Sequence, residues 1–133
     1  MTKPASPKFR SGFEKLVYEQ LVEAGIETEY EARRIPYQSP PKNRTYHTDF
    51  TFKSSNMIIE SKGRWTRADR EKILNIKQSN PELDLRLLFQ RDNKITRTSK
   101  TTYSMWARKH GIPCAVGSVP EKWLEEIKAD GTD

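Results

Sequence analysis

Two carboxylates and a lysine near the middle of the chain are the residues best suited to do chemistry. Ten residues separate Asp49 from Glu60, and Lys62 follows Glu60 after one more. Hard divalent ions such as magnesium prefer oxygen ligands, which Asp49, Glu60 and the backbone carbonyl of Ser61 can supply. Such an ion polarises a phosphate and lowers the pKa of a bound water, which Lys62 can orient or deprotonate. The spacing therefore predicts metal-assisted hydrolysis of a phosphodiester.

A β-hairpin is predicted to bring these groups together. Residues 46–53 alternate between apolar and polar side chains, a polar break follows, and residues 57–60 have the composition of a second strand. A turn centred on Ser54-Ser55 pairs Phe50 with Ile59, Phe52 with Met57, Asp49 with Glu60 and His47 with Lys62. Two carboxylates directly opposite each other repel unless a cation lies between them, so this register favours a site. The alternative is a set of solvated charges on an exposed sheet face.

Hydrophobic spacing and the residues that begin or end helices predict the other elements. A first helix begins at Ser11 and ends at Gly25, with an apolar stripe of Phe13, Leu16, Val17, Leu21 and Ala24. Ser11 and Glu14 fit a capping box, in which the glutamate side chain bonds the backbone N–H of the cap. The next segments predict a strand over 28–35 ended by Pro36 and then a stiff proline-rich connector over 37–45. A helix is predicted from Thr66 to Asn80, with Ile73, Leu74 and Ile76 inward, and a strand over 83–89. The last predicted elements are a helix from Thr101 or Thr102 to Gly111, a strand over 112–116 and a helix from Pro120. Together they predict an α/β domain with a mixed sheet.

The composition favours a single intracellular domain with a polyanionic partner. The 133 residues carry 24 Lys and Arg against 18 Asp and Glu, and the net charge of +6 favours nucleic acid. A single cysteine, Cys114, is typical of a reducing compartment and excludes an intrachain disulfide. No apolar run approaches the ~20 residues of a membrane span, so we expect a soluble protein with no membrane partner. A zinc finger and an ATP-driven enzyme are disfavoured, since Cys/His clusters and a glycine-rich phosphate loop are missing from the sequence.

Basic side chains that can contact DNA phosphates occur in several places. A basic arm over residues 1–10 is expected to be mobile. His47 lies on the same predicted face as the carboxylates and is a candidate general base or DNA contact. The helix after Gly63 begins with several arginines, and the loop over 90–100 is strongly basic. The predicted DNA-binding residues are Arg10, His47, Arg64, Arg67, Arg70, Arg91, Lys94, Arg97 and Lys100.

Short motifs spread in order over residues 9–123 are similar to those of one nuclease family. They are Phe9-Arg10-Ser11-Gly12-Phe13-Glu14, Glu29-Tyr30-Glu31, Ile35-Pro36-Tyr37, Thr45-Tyr46-His47-Thr48-Asp49-Phe50, Glu60-Ser61-Lys62-Gly63, Pro81-Glu82-Leu83-Asp84 and Lys109-His110-Gly111-Ile112. This set resembles the bacteriophage endonuclease I family of Holliday-junction resolvases, within the PD-(D/E)xK nuclease superfamily. The chain departs from the family at Thr48, where the family has proline, and in its acidic tail after Pro120, where the family's tail is basic.

The resemblance implies a restriction-endonuclease-like mixed β-sheet flanked by helices, in a homodimer that exchanges N-terminal segments. It implies that four-way (Holliday) junctions and other branched DNA are cut by paired nicks, with Mg²⁺ or Mn²⁺ and two ions per active site. By the same resemblance Asp49, Glu60 and Lys62 are catalytic. Glu14 is then the fourth active-site residue and a further metal ligand, contributed to the partner's site. A phage-encoded protein of this kind acts in the cytoplasm of the infected bacterium.

The predicted domain organisation is a mobile arm over 1–10, a single nuclease domain over 11–128 and a short tail over 129–133. The connector over 37–45 lies between the exchanged N-terminal part and the rest. Two alternatives for the function stay open: a nuclease of the same superfamily with other DNA selectivity, and a non-catalytic basic DNA-binding protein. Asp49 facing Glu60 disfavours the second alternative, because a pure binder gains nothing from negative charge on its DNA face.

Overall fold

The computed structural model describes residues 7–39 and 42–131. In chain order the elements are α1 (Gly12–Glu23), β1 (Thr28–Tyr30), β2 (Arg34–Ser39), β3 (Lys42–His47), β4 (Phe50–Phe52), β5 (Ser55–Lys62), α2 (Arg67–Ser79), β6 (Asp84–Phe89), α3 (Tyr103–Lys109), β7 (Cys114–Val116) and α4 (Glu121–Asp130). Residues 1–6 of the predicted arm, Pro40 and Pro41 of the predicted connector, and the last two residues of the predicted tail lie outside the described residues.

Five strands form one mixed sheet in the order β1-β4-β5-β6-β7. Strands β1, β4 and β5 are antiparallel neighbours, whereas β5, β6 and β7 run parallel. Parallel neighbours need a crossover connection, and α2 and α3 supply the two that this sheet requires. The predicted α/β class with a mixed sheet flanked by helices is confirmed, with β5 at the centre of the sheet.

Two hydrophobic cores cover the two faces of this sheet. One core combines α2 and α3 with Ile58, and the other combines α1 and α4 with Ile59. These neighbours belong to opposite cores because successive side chains on a strand point to opposite faces. Glu60 lies two residues beyond Ile58 and therefore faces the α2 side. Strand β6 contributes to both cores, as the apolar run over 83–89 predicted.

The predicted hairpin of β4 and β5 is correct at the end nearest the carboxylates and wrong at the turn. Phe50 pairs with Ile59 as predicted, Phe52 pairs with Ser55 instead of Met57, and the turn is Lys53-Ser54 instead of Ser54-Ser55. A bulge causes this difference, because β5 contributes extra residues opposite the step from Thr51 to Phe52. The bulge lets a tight turn close the hairpin while the pairs next to the carboxylates keep their register.

The single strand predicted over 46–53 is broken in two. Its first part belongs to β3, which pairs with β2 in a separate two-stranded sheet. His47 therefore lies opposite Arg34 and not opposite Lys62, which corrects the predicted pairing. The chain passes from one sheet to the other between β3 and β4, a change that the alternating pattern does not reveal.

The predicted strand over 28–35 is two strands, β1 and β2, separated by residues 31–33. The predicted strand end at Pro36 is also wrong, because β2 continues to Ser39 and pairs with β3 as a ribbon, so the described residues of the predicted connector belong to paired strands. The side of the strand that Pro36 faces explains why the proline is tolerated. Gln38 donates its backbone N–H to Ser79 Oγ at 2.9 Å, and Asn80 Nδ2 donates to the Pro36 carbonyl at 2.9 Å, so these backbone groups point away from β3. The missing N–H of Pro36 therefore costs no hydrogen bond in the ribbon.

The helices begin where their capping residues predict. The side chains of Ser11, Thr66 and Thr102 accept a backbone N–H at the starts of α1, α2 and α3, and Pro120 directly precedes α4. Two predicted core positions are wrong, because Leu16 is 63% exposed and Leu74 is also exposed. Both lie at the margin of their apolar stripes, where the helix turns away from the sheet.

The two ends of the described chain pack against the domain. Phe9 packs edge-to-face against Tyr30 with ring centroids 4.8 Å apart, and Arg10 forms a 2.8 Å ion pair with Glu31, so the last residues of the predicted arm are held in place. Helix α4 extends to Asp130, which lies inside the predicted tail. Within residues 7–39 and 42–131, no helix has the length and apolar character needed to span a bilayer.

Candidate active site

Asp49, Glu60 and Lys62 converge where β4 begins and β5 ends. Asp49 directly precedes Phe50, whose pairing with Ile59 continues the register toward Glu60. Lys62 is two residues further along β5 and points to the same face as Glu60. The structure therefore brings together the three residues that the sequence analysis selected.

Backbone contacts on two sides hold Asp49 in place. Its Oδ2 atom accepts hydrogen bonds from the N–H of Ser61 at 3.0 Å and from the Ser61 hydroxyl at 3.3 Å. Thr48, the preceding residue, is buried, and its N–H donates to the Arg33 carbonyl at 3.1 Å. The Thr48 hydroxyl also accepts the N–H of Arg33 at 3.3 Å. These bonds fix the backbone at the point where the chain leaves the ribbon for β4.

The Asp49 carboxyl lies in surroundings that disfavour its charge. Burial, then the neighbouring Glu60 carboxylate, and then Glu14 raise the pKa of Asp49 to about 8, although the Ser61 N–H and Lys62 act in the opposite direction. Without a cation, this carboxyl therefore binds a proton over much of the neutral pH range. A bound cation would favour the ionised form instead.

Glu60 is buried and has a different partner on each oxygen. It is 4% exposed, and its Oε1 atom accepts a 2.7 Å hydrogen bond from the hydroxyl of Tyr46 on β3. Its Oε2 atom lies 3.6 Å from Lys62 Nζ. Burial raises the pKa of Glu60, and the opposing effects of Lys62, Tyr46 and Lys72 only partly offset it. Two neighbouring carboxyls thus both have raised pKa values, and burial is the largest cause for each.

Lys62 is shared between two carboxylates. Its Nζ atom lies 3.6 Å from Glu60 Oε2 and 3.4 Å from Asp69 Oδ1. Burial of the ammonium lowers the pKa of Lys62, but attraction to Glu60, Asp69 and Asp49 outweighs it, so the pKa is raised. Lys62 therefore carries its proton at neutral pH.

Glu14 approaches the same site from the start of α1. It is buried, and its Oε1 atom accepts the backbone N–H of Arg10 at 3.0 Å and the hydroxyl of Tyr30 at 2.9 Å. Ser11 caps the helix as predicted, but Glu14 bonds Arg10 and not the Ser11 N–H, so the predicted capping box is only half formed. Glu14 contributes to the raised pKa of Asp49, so the two carboxyls of the same chain are close enough to interact electrostatically.

The oxygens around Asp49 suit a hard divalent ion. Among the described residues, no three His, Cys, Asp or Glu side chains form a metal-binding cluster. Two carboxylates and a backbone carbonyl are an alternative ligand set. In a strand the N–H and C=O of one residue point to the same side, so the Ser61 carbonyl faces the side to which its N–H bonds Asp49. Asp49, Glu60 and this carbonyl therefore fit a divalent ion, which would favour the ionised form of both buried carboxyls.

The predicted DNA-binding residues lie in different environments. Arg64, Arg91, Lys94, Arg97, Lys100 and His47 are exposed. Arg70 is partly engaged, because it donates to the Trp65 carbonyl at 2.8 Å. The basic loop begins beside the site, since Gln90 donates its N–H to the Lys62 carbonyl at 2.9 Å. A phosphate at the carboxylates is therefore within the neighbourhood of this loop.

Three residues that hold the site were missed by the sequence analysis. Tyr46 bonds Glu60, Asp69 contacts Lys62, and Tyr30 bonds Glu14. Only Asp69 had a local signal, because Thr66 and Asp69 have the spacing of a capping box. The two tyrosines lie on other strands, and nothing in their own segments predicts which carboxylate they contact.

Comparison with known proteins gives consistent matches over nearly the whole sequence. The sequence model of phage endonuclease I matches residues 2–132. The chain is 40% identical over 123 residues to "Endonuclease I" of Escherichia phage T7, covering 92% of this chain and 82% of that protein. It is 41% identical over 123 residues to "Endodeoxyribonuclease 1" of Enterobacteria phage T3, covering 92% and 80%. With these matches, and with the residues that carry the resemblance gathered in one cluster, the chain belongs to the phage endonuclease I family.

Proposed function

We propose that this protein is a DNA endonuclease that resolves four-way (Holliday) junctions and other branched DNA by paired, metal-dependent hydrolysis of phosphodiesters. Membership of a family whose relatives are named as endonucleases supports cleavage of DNA. The observation that carries the chemistry is the cluster of Asp49, Glu60 and Lys62. In this cluster two carboxyls with raised pKa values lie beside a lysine that retains its proton.

Each residue of the cluster has a distinct role in the proposed reaction. Asp49, Glu60 and the Ser61 carbonyl would hold Mg²⁺, or Mn²⁺, with Glu14 as a further ligand where two ions bind. An ion held there would polarise the scissile phosphate and lower the pKa of a bound water. Lys62 keeps its proton, which favours hydrogen bonding to the phosphate and neutralising developing negative charge over acting as a general base.

A homodimer with exchanged N-terminal segments is part of the proposal. Two active sites related by symmetry can nick two strands of the same junction. Within one chain, Glu14 and Asp49 are close enough to interact, and the ribbon of β2 and β3 links the parts of the chain that carry them. Exchange would form the same contact between two chains. Light scattering should give the mass of two chains, and a monomeric mass at micromolar concentration would rule the exchange out.

Selection of branched DNA would depend on shape and phosphate position. Exposed basic side chains contact phosphates without reading bases. Arg64, Arg91, Lys94, Arg97 and Lys100 are exposed, and the loop that carries the last four begins beside Lys62. A four-way junction presents phosphates of several arms to two sites at once, which a linear duplex does not.

Strand nicking of a labelled four-way junction tests the proposal. A linear duplex of the same sequence is the reference DNA, and each is incubated with Mg²⁺ or with Ca²⁺. The matched variants are Glu60→Gln, which removes the site carboxylate, and Glu82→Gln, which makes the same change at an exposed position. We expect symmetric cuts at the junction with Mg²⁺ in the parent protein and in Glu82→Gln, and none in Glu60→Gln.

The other outcomes identify the alternatives. Equal cutting of both DNAs would indicate a nuclease of the same superfamily with other DNA selectivity. Tight binding of the junction without cutting in Mg²⁺ or Mn²⁺ would indicate a non-catalytic DNA-binding protein. Cutting that survives Glu60→Gln would contradict the assigned site.

A further inference from the structure

The ammonium of Lys62 is held by a residue outside the proposed metal ligands. Asp69 Oδ1 lies 3.4 Å from Lys62 Nζ, slightly closer than the 3.6 Å between Lys62 and Glu60. The side chains of Lys62 and Asp69 are 28% and 24% exposed, so water screens this pair less than an ion pair on the open surface. Lys62 is therefore attracted both to Glu60 and to Asp69.

The other oxygen of Asp69 is fixed by the start of α2. Asp69 Oδ2 accepts the Thr66 N–H at 2.9 Å and the Thr66 hydroxyl at 2.8 Å. The Asp69 N–H donates back to the Thr66 hydroxyl at 3.1 Å, which completes a capping box. A carboxylate near a helix N-terminus is also favoured by the helix dipole. Asp69 thus presents its second oxygen to Lys62 from a rigid position.

A lysine needs such an anchor because its four-carbon stem is flexible. With Glu60 as its only partner, the ammonium would settle on the oxygen that the proposed cation needs. We infer that Asp69 is a positioning residue, which holds the Lys62 ammonium at the edge of the site and keeps Glu60 Oε2 available for the cation. The inference depends on the proposed nuclease function for its effect on cutting, but the position of Lys62 can be measured independently of cutting.

The test uses variants that separate the charge of Asp69 from its capping role. Asp69→Asn removes the charge and keeps an oxygen that can accept the Thr66 N–H. Thr66→Ala breaks the cap and keeps the Asp69 carboxylate. Glu71→Gln is the control for net charge, because Glu71 lies on the same helix, is 62% exposed and pairs only with Arg67 among the salt bridges found in the described chain.

Single-turnover cutting of the junction is the first measurement. We expect Asp69→Asn to slow cutting about tenfold, because small displacements of a reacting group are costly, and to leave junction affinity in Ca²⁺ unchanged. Glu71→Gln should cut at the parent rate. Thr66→Ala keeps the Asp69 charge and the Thr66 N–H that bonds Asp69 Oδ2, so it should lose clearly less rate than Asp69→Asn, although it should unfold at a lower temperature. Asp69→Glu keeps the charge and can form a capping box, so it should restore most of the rate. In a Lys62→Ala background, Asp69→Asn should have no additional effect.

Acylation of Lys62, followed by peptide mass spectrometry, is the second measurement and does not require cutting. Lys62 should react faster in Asp69→Asn than in the parent or in Glu71→Gln. Failure of the parent protein to cut would contradict the proposed function, whereas unchanged acylation of Lys62 in Asp69→Asn would overturn the inference. A parent rate of cutting in Asp69→Asn, or an equal loss in Thr66→Ala, would overturn it as well.

Discussion

The hydroxyl of Tyr46 donates a 2.7 Å hydrogen bond to Glu60 Oε1, and this bond connects the two sheets of the protein at the candidate active site. Tyr46 lies on β3 of the ribbon, and Glu60 lies on the central strand of the main sheet. Both residues are buried. The bond fixes one carboxylate oxygen and leaves the other toward Lys62, so the ribbon sets the orientation of a proposed metal ligand.

We expect Tyr46→Phe to reduce both stability and cutting. The change leaves a buried carboxylate oxygen without its donor, which costs about 1–3 kcal/mol, while the ring stays in place. Tyr37→Phe is the matched control, because Tyr37 contributes to the same core from β2. Only Tyr46→Phe should unfold at a lower urea concentration and cut more slowly in single-turnover measurements. Equal behaviour of the two variants would show that the hydroxyl does not orient Glu60.

Without divalent ions, the protein should lose stability as the pH rises. Burial and Glu60 raise the pKa of Asp49 to about 8 from 3.8, and the pKa of Glu60 is raised as well. The folded state therefore binds protons more tightly than the unfolded chain, so this stabilisation is fully present below about pH 4 and is lost as the pH rises through about 8. In EDTA the unfolding temperature should fall over this range. Asp49→Asn should flatten the profile, and an unchanged slope would contradict the raised pKa.

Magnesium should stabilise the protein through the same carboxylates. Binding to the folded state alone contributes about 1.4 kcal/mol at ten times the dissociation constant. Thermal unfolding at about pH 8 should therefore shift upward with Mg²⁺ in the parent protein and not in Asp49→Asn or Glu60→Gln. Glu14→Gln tests the third carboxylate, and a reduced shift would support its role as a ligand. An equal shift in all variants would place the ion elsewhere.

The basic loop should control how binding depends on salt. Each phosphate contact contributes a slope of about −1 to the dependence of log affinity on log salt concentration. The double change Arg91→Gln and Arg97→Gln should reduce the slope for junction binding in Ca²⁺ by about 2 if both side chains contact phosphates. Lys122→Gln is the control, since Lys122 is exposed on α4, which packs on the opposite face of the sheet from α2. Equal slopes for the parent protein and the double variant would show that these two arginines of the loop do not contact phosphates.

The sequence was most informative where a repeating pattern and the tertiary structure agree. Alternation placed Phe50 opposite Ile59 and put Glu60 and Lys62 on one face, because side chains on a strand alternate regardless of what packs against them. The pattern failed at Thr48, where the chain changes sheets. That change depends on bonds from Thr48 to Arg33, which lies fifteen residues earlier. Contacts over such distances leave no trace in a local pattern.

The same limit applies to the residues that hold the site. Tyr46 fits the alternation of a strand, but its partner Glu60 depends on how the ribbon packs against the sheet. Pro36 predicted a strand end because proline lacks an N–H. Only the structure shows that the nitrogen of Pro36 points away from β3, so that no hydrogen bond of the ribbon is lost. Glu14 had a plausible local partner in Ser11, and the fold gave it a different one.

Helix α2 contacts the site machinery at both of its ends. Its first turn holds Lys62 through Asp69, and its last residues hold the ribbon through bonds from Gln38 to Ser79 and from Asn80 to Pro36. The thirteen residues of α2 span about 20 Å, and a helix of this length is rigid. Movement of the ribbon would therefore reach Glu60 directly through Tyr46 and Lys62 indirectly along α2. Glu60 and Lys62 are thus both linked to the ribbon, so we expect a change in the position of the ribbon to alter the arrangement of these two side chains and with it the rate of cutting.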